Sequence, residues 1–364
     1  MKPAAELKIL EIGQFCLLKR NLPDRTTHIF TGEDWSEADG LECRVFGLGL
    51  LPWLMRSLAR GEWDIVFCHA PVRPLWDRKH GLLAALEGLL RRLVYTRSLG
   101  TYALSGRQAS PLVMLDFNDE PTIPAHAFHL LERAVVCFKR ELPTDTTKAF
   151  LDSAPRLRTH RDVMSSPFVA RNLRKLRPIS AAVPDETARM ALEEAARKEV
   201  DVFFAGSINS TLRAAGLPVL RSLQADGYVV DVREGGLSKG EYLERCARAW
   251  LTWSPEGYGW ECLRHYEASL CLSVPVLSPP GILRHFPLQD RVHAIYYAAE
   301  GSGLRDAILG ALADRPRLET MAQAARAHVL RHHTHSKAIE HMLSVALSEI
   351  EARLDGSRAA KGNP

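Results

Sequence analysis

A short apolar run followed by a helix-patterned stretch recurs along the chain, fades in a Pro- and Arg-rich region, and then starts again. In the first half the runs are Leu7–Ile12, Glu42–Phe46, Asp64–Cys68, Leu112–Asp116 and Ala134–Phe138, each bounded by Gly, Pro, Asp or Asn. Runs of this length that are apolar throughout predict parallel strands covered on both faces. Helix patterns stand between them at Pro52–Arg60 and Leu82–Val94. From about 155 to 184 the pattern loosens, and this stretch reads as a junction. Strands are then predicted at Asp201–Ala205, Tyr228–Val232, Ala249–Trp253, Val274–Leu277 and His293–Tyr297, with helices at Leu212–Ala225, Lys239–Ala247 and Cys262–Cys271. Helices over Gly303–Ala313, Arg317–His332 and Lys337–Leu354 complete the chain, the last with Ile339, Met342, Leu343, Ala346, Ile350 and Leu354 on one stripe. Alternation of this kind implies an α/β fold of βαβ units. The chain is predicted to form two Rossmann-like domains, 1–178 and 179–335, followed by a closing helix and tail over 336–364.

The length of 364 residues agrees with two domains at roughly 150 residues each. With 46% apolar and 25% charged residues, the composition excludes a disordered chain, a collagen-like fibre and a disulfide-stapled miniprotein. Seven cysteines, an odd number without a C-x-x-C pair, read as reduced, buried thiols of a cytoplasmic protein. No apolar run approaches the ~18–20 residues that span a bilayer. Residues 1–178 carry 26 Lys+Arg against 20 Asp+Glu, and residues 179–364 carry 21 against 23. The basic half suits an anionic surface or acceptor.

The first strand is followed by the single glycine of Leu10-Glu-Ile-Gly-Gln14. Without G-x-G-x-x-G there, a dinucleotide-dependent dehydrogenase is a poor reading. P-loop, H-E-x-x-H and G-x-S-x-G motifs are absent too, which removes the ATPase, zincin and α/β-hydrolase readings. The richest segment is Trp253-Ser-Pro-Glu-Gly-Tyr-Gly-Trp-Glu-Cys-Leu-Arg-His-Tyr-Glu-Ala268. It reads as a strand end, a glycine-bearing loop with Tyr258, Gly259 and Trp260, and a helix beginning near Glu261. Exposed amides at such a helix start suit a diphosphate. Glu261, Arg264 and Glu267 recur every three residues and are predicted to share a face. One carboxylate would then take sugar hydroxyls, the other ribose hydroxyls, and Arg264 a phosphate. The competing reading is a salt-bridge ladder on a solvated helix, which two aromatics beside two glycines disfavour.

The segment resembles the donor-site signature of GT-B glycosyltransferases. The likeness is to the "glycosyl transferases group 1" domain in the bacterial variant shared with spore-maturation and exostosin-like proteins, through Gly257-Tyr-Gly-Trp-Glu261, Arg264 and Glu267-Ala268. Val202-Phe-Phe-Ala-Gly206-Ser207 with Arg213 resembles the first strand and loop of the donor domain. Asp116-Phe-Asn-Asp-Glu-Pro121, Phe138-Lys-Arg-Glu-Leu142 and His333-Thr334 resemble other segments of the group in the expected order. The resemblance covers about residues 110–345. It implies two Rossmann-like domains facing across a cleft, a nucleotide-sugar donor as substrate, no cofactor and no metal. Glu267 matches the ribose-contacting glutamate. The better-known pattern has seven residues between its two glutamates, whereas ten lie between Glu256 and Glu267 here. Either Glu256 or Glu261 would contact the sugar, with Glu261 preferred.

An inverting transfer also needs a base at the acceptor hydroxyl. The candidates at strand ends are His69, Asp116, Asp119 and Glu120, for which turn capping or a structural histidine is the competing reading. His328 and His332 lie four apart on a predicted helix, but no Cys or carboxylate completes a metal site. The stretch Leu82–Arg97, apolar with its arginines toward the end, is read first as an interdomain or core helix and second as a peripheral contact with the inner face of a membrane. Dispersed basic residues and the lack of a recognised module disfavour nucleic acid as a partner. The expected activity is therefore sugar transfer from a nucleotide donor to a glycan, lipid-linked or protein acceptor. The alternatives are a GT-B-fold nucleotide-sugar epimerase and a non-catalytic binding module.

Overall fold

The computed structural model of the chain describes residues 3–31, 39–46, 48–70, 86, 110–124, 127–153, 166–193, 196–298 and 303–361. The chain divides into two compact units, Met1–Pro178 together with Ile339–Pro364, and Ile179–Ala338. The closing segment thus belongs to the first unit rather than standing apart.

The first unit is built on a seven-stranded parallel sheet. Its strands are β1 (Ile9–Gly13), β2 (Thr26–Phe30), β3 (Arg44–Val45), β4 (Ile65–His69), β5 (Leu112–Asp116), β6 (Val136–Lys139) and β7 (Leu176–Pro178), in the order β3-β2-β1-β4-β5-β6-β7. Every residue of β1, β4, β5 and β6 is buried, which explains why these strands read as largely apolar runs. Two strands were not expected. β2 contains only two apolar residues in Thr-Thr-His-Ile-Phe, and β7 lies inside the stretch read as a junction, after a helix over Pro167–Leu173. The predicted helix Leu82–Val94 lies outside the described residues, save Leu86.

The helix His335–Lys361 buries Ile339, Met342, Leu343, Ala346 and Ile350, while Leu354 is exposed. It is tied to the first unit by Arg353 Nη2, which donates to the carbonyls of Ala134 and Val135 at 3.0 and 3.1 Å. Glu349 accepts from Arg177 at 2.5 Å, and the His341 ring meets Phe138 edge-on.

The second unit has a five-stranded parallel sheet of β8 (Val200–Ala205), β9 (Val230–Arg233), β10 (Ala249–Trp253), β11 (Val274–Leu277) and β12 (Ile295–Tyr296), ordered β12-β11-β10-β8-β9. Helices over Thr211–Ala225, Lys239–Arg248, Leu263–Leu270, Gly303–Leu312 and Arg315–His332 accompany it. Ser210 caps the first of these, and Ser238 with Glu241 forms a reciprocal cap on the second. Gly216 is needed for packing. A Cβ there would lie 2.2 Å from the Trp253 indole, so only glycine lets this helix close on β10.

The strand order reverses direction once in each sheet, between β1 and β4 and between β8 and β10. In open parallel sheets ligands bind at the carboxyl ends of the strands beside such a reversal.

Candidate donor site in the second unit

At the carboxyl edge of β8 a pocket of about 240 Å³ is lined by Ala205, Gly206, the 235–239 loop, Tyr242, Arg264 and Glu267. Gly235 and Gly236 both have positive φ, at 109° and 79°, a turn that other residues rarely adopt. That turn delivers Ser238 to the start of the Lys239–Arg248 helix. Glu267 is buried in the pocket wall, and its Oε1 accepts from Lys239 Nζ, whose side chain is half exposed. Lys239 was not among the expected site residues. It becomes visible only when the fold brings the two helix segments together.

Gly206 ends β8 directly against Arg264. A Cβ at this glycine would sit 2.8 Å from Arg264 Nη1. Across the loop, a Cβ at Gly257 would sit 2.7 Å from Arg213 Nη2. Arg213 is buried and donates to the Ser207 carbonyl at 2.9 Å and to Asn209 Oδ1 at 2.7 Å. Arg264 has one long bond, 3.4 Å, to the Pro255 carbonyl. Neither guanidinium has a carboxylate within ion-pair distance among the described residues, and the Nε of each is buried without a hydrogen-bond partner. Burial, and then the neighbouring Arg264 charge, push the Arg213 pKa down. Two cations are thus held close together, one buried and one partly buried, without an ion-paired carboxylate of their own. The energetics favour an anion there.

The glycine loop is pinned at both ends. Ser254 Oγ pairs with His265 Nδ1 at 2.8 Å, and Arg284 Nη2 donates to the Trp260 carbonyl at 2.8 Å. Burial, and then Arg284, hold the His265 pKa well below the usual range, so the ring is neutral. The Gly257 N–H donates to the Gly259 carbonyl at 3.1 Å, and Tyr258 stands at the loop tip, 82% exposed. Gly259 is buried, and the Trp260 indole lies on Gly281.

The expected shared face of Glu261, Arg264 and Glu267 does not form. The helix begins at Leu263, with Cys262 as its cap, so Glu261 precedes it. The Glu261 carboxylate turns inward instead. Oε1 accepts from Tyr266 Oη at 2.5 Å and from the Ala181 N–H at 3.3 Å, and Oε2 lies 3.3 Å from Arg284 Nε. Its side chain is 1% exposed. Glu256, the other candidate for the sugar contact, accepts from Ser278 Oγ. Arg264 and Glu267, by contrast, share the pocket.

The candidate bases lie in the first unit. Asp116 is fully buried at the end of β5, where Lys139 Nζ donates to Oδ2 at 2.8 Å and the Asn118 N–H to Oδ1 at 3.2 Å. It is a turn-capping ion-pair partner. Asp119 is exposed and paired with Arg140, and the Glu120 carbonyl accepts from Lys139 at 2.8 Å. His69 ends β4 and hydrogen-bonds Glu11. Elsewhere, His328 Nε2 donates to the Phe286 carbonyl at 2.8 Å and its ring stacks on His293. Among the described residues no group of three His, Cys, Asp or Glu side chains is arranged to hold a metal ion. None of the described helices is long and apolar enough to cross a membrane.

No protein-family model and no curated protein sequence matches the chain. Solved structures do. HepE from Anabaena in complex with UDP is 13% identical, with 94% of this chain and 100% of that one covered at a TM-score of 0.53. The α,α-trehalose 6-phosphate synthase of Burkholderia multivorans is 10% identical, with 97% and 98% covered at a TM-score of 0.57. A glycosyltransferase from Rickettsia africae is 10% identical, with 94% and 98% covered at 0.55. These neighbours establish the fold, which is GT-B.

Proposed function

We propose that the chain is a glycosyltransferase that takes a sugar from a nucleotide-sugar donor held in its second unit. The observation that carries this reading is the pair Arg213, which is buried, and Arg264, which is partly buried in the pocket wall, neither of them ion-paired to a carboxylate among the described residues. A diphosphate supplies the missing negative charge, and Glu267, on the same helix as Arg264, supplies an acceptor for the hydroxyls of a ribose. When the sugar departs, charge builds on the diphosphate, and preorganised cations in a desolvated site stabilise that charge most effectively. The neighbour HepE was solved with UDP and with UDP-glucose, which makes these the first ligands to try. The acceptor is proposed to be a glycan, lipid-linked or protein hydroxyl.

Thermal-shift titration tests the donor site. A nucleotide at ~100 times its dissociation constant adds about 2.7 kcal/mol to stability, a visible rise in melting temperature. UDP or another nucleoside diphosphate is expected to give that rise, and Glu267→Ala to remove it. A full shift surviving in Glu267→Ala would return this glutamate to a purely structural ion pair with Lys239.

Two guanidinium groups at the phosphate position would also replace a divalent cation. Transfer by the protein is accordingly expected to proceed at an unchanged rate in EDTA. Complete loss of turnover on chelation, restored by Mg²⁺ or Mn²⁺, would overturn the metal-independent mechanism.

A further inference from the structure

The cysteines read from the sequence as buried thiols, and five of the seven are buried. Cys43 and Cys262 are only partly so. Cys43 differs from every other cysteine but one in its neighbour, since its Sγ lies 3.9 Å from the Sγ of Cys16. This pair does not belong to the main core of the first unit. With Phe30 and Leu41 it forms a small cluster of its own at the carboxyl end of β2. Cys16 is buried three residues beyond β1, at the N-cap of the helix Leu17–Asn21, where its side chain makes no capping bond. Cys43 immediately precedes β3, in a stretch without regular structure.

The two thiols stand 27 positions apart in the chain and meet across a strand. β3 is the outermost strand of its sheet, two exposed residues long, and pairs with β2 through Ile29–Arg44 and Phe30–Val45. Cys16 follows β1, on the other side of β2. A covalent link between them crosses β2 and fastens the edge strand to the chain leaving β1. A thiol is a weak donor and a weak acceptor, so the present contact does little to hold β3 in place. Bond formation requires the sulfurs to close to about 2.05 Å, and the irregular backbone at Cys43 leaves its side chain room to turn toward Cys16.

We propose that Cys16 and Cys43 are an oxidation site, joined as a disulfide when the protein meets a peroxide and parted again by a thiol reductant. Cys43 reacts first, because it is partly exposed and Cys16 is not. Burial raises the pKa of both thiols, but a hydrogen bond from Cys16 lowers that of Cys43, so Cys43 is the one that ionises. Its thiolate attacks one oxygen of hydrogen peroxide. The O–O bond breaks, hydroxide leaves, and Cys43 becomes a sulfenic acid. Cys16 gives its proton to that hydroxide and its sulfur attacks the Cys43 sulfur. The S–O bond breaks with its electron pair on oxygen, which takes up the proton that Cys43 released. Two thiols are oxidised by two electrons in all, and one peroxide is reduced to two waters.

The folded full chain is treated with hydrogen peroxide, then unfolded, alkylated with iodoacetamide and weighed by mass spectrometry. It is expected to take up two alkyl groups fewer than the reduced chain and to regain both after dithiothreitol. Trypsin is expected to release peptide 9–19 joined to peptide 26–44. Full alkylation of all seven cysteines after peroxide, or a cross-link through any other cysteine, would overturn the proposal. So would irreversible oxidation of Cys43 with Cys16 left free. Cys43→Ser is expected to abolish the cross-link. In Cys16→Ser the sulfenic acid lacks its partner, and dimedone is expected to trap it on Cys43; an adduct on Cys262 with none on Cys43 would overturn the order of attack. Should Cys16→Ser fail to fold, Cys43→Ser still decides, being altered at a partly exposed position. The oxidised protein is also expected to melt higher than the reduced one, because the bond restricts the unfolded chain. A lower melting temperature would mean that the fold must distort to make the bond, against the placement described. No nucleotide enters these measurements, so they stand or fall apart from the glycosyltransferase reading.

Discussion

Arg264→Ala is expected to weaken UDP binding by roughly 10- to 100-fold, the equivalent of one charge-assisted hydrogen bond of about 1.5–3 kcal/mol. Arg213→Ala should act in the same direction, and the double variant should lose the UDP-dependent thermal shift altogether. The two losses will not add, because the groups are neighbours and the Arg264 charge already lowers the affinity of Arg213 for a proton. The unliganded protein should respond differently. Arg264 makes a single long bond, to a carbonyl, and repels Arg213 across the pocket wall. Its removal therefore leaves the melting temperature unchanged or raises it. Calorimetric titration and thermal melts on the same sample separate the two effects. A stability loss with unaltered UDP affinity would mean that Arg264 is a packing residue and that the uncompensated charge has another purpose.

Glu261→Ala should do the opposite. Its carboxylate joins the Tyr266 hydroxyl, the Ala181 amide and Arg284, whose side chain is 4% exposed. Removing one member of a buried ion pair leaves the other charged and desolvated, at a cost of about 3–5 kcal/mol. The pKa of Arg284 is raised by Glu261 although burial lowers it, so the guanidinium stays charged and carries that cost. The unfolding midpoint in denaturant should fall sharply, with UDP affinity of the folded fraction kept within about twofold. Glu261→Ala with Arg284→Met should recover much of the loss, since an apolar pair of similar volume avoids the desolvation. If Glu261→Ala instead keeps its stability and fails to turn over UDP-glucose, the carboxylate contacts the sugar and the ion pair with Arg284 is incidental.

The parallel sheets were legible because strands covered on both faces cannot avoid being apolar, as in Ile65-Val-Phe-Cys68 and Leu112-Val-Met-Leu115. β2 escaped for a reason that lies elsewhere in the chain. Its His28 is tolerated inside the sheet only because Glu11 receives it, and that pairing spans seventeen residues. The same distance effect hid the role of Asp116, whose partner Lys139 is twenty-three residues away on β6. The glycine loop and Arg264 were legible because close backbone approach demands glycine and an isolated guanidinium stands out on a short helix. The place of Glu261 ahead of the helix was missed through a shift of two residues in the helix start. Two residues turn a side chain by about 200° around a helix axis, enough to move a carboxylate from the ligand side to the interior. Glu11 did carry a signal, a single acid inside the apolar run Leu7–Ile12. Such residues are almost never fully buried unless paired. The sequence shows that a partner must exist without showing which one.

The second unit is a continuous length of chain, whereas the first is assembled from residues before 179 and after 338. During synthesis, the segment that clasps Ala134, Val135 and Arg177 leaves the ribosome only after the whole second unit. Domains generally fold as they emerge, the amino-terminal one first. Here that order is inverted, and the nascent amino-terminal sheet must wait, incomplete, while everything between it and its final helix is translated and folds. A stop codon near 338 would therefore harm the first unit rather than the second.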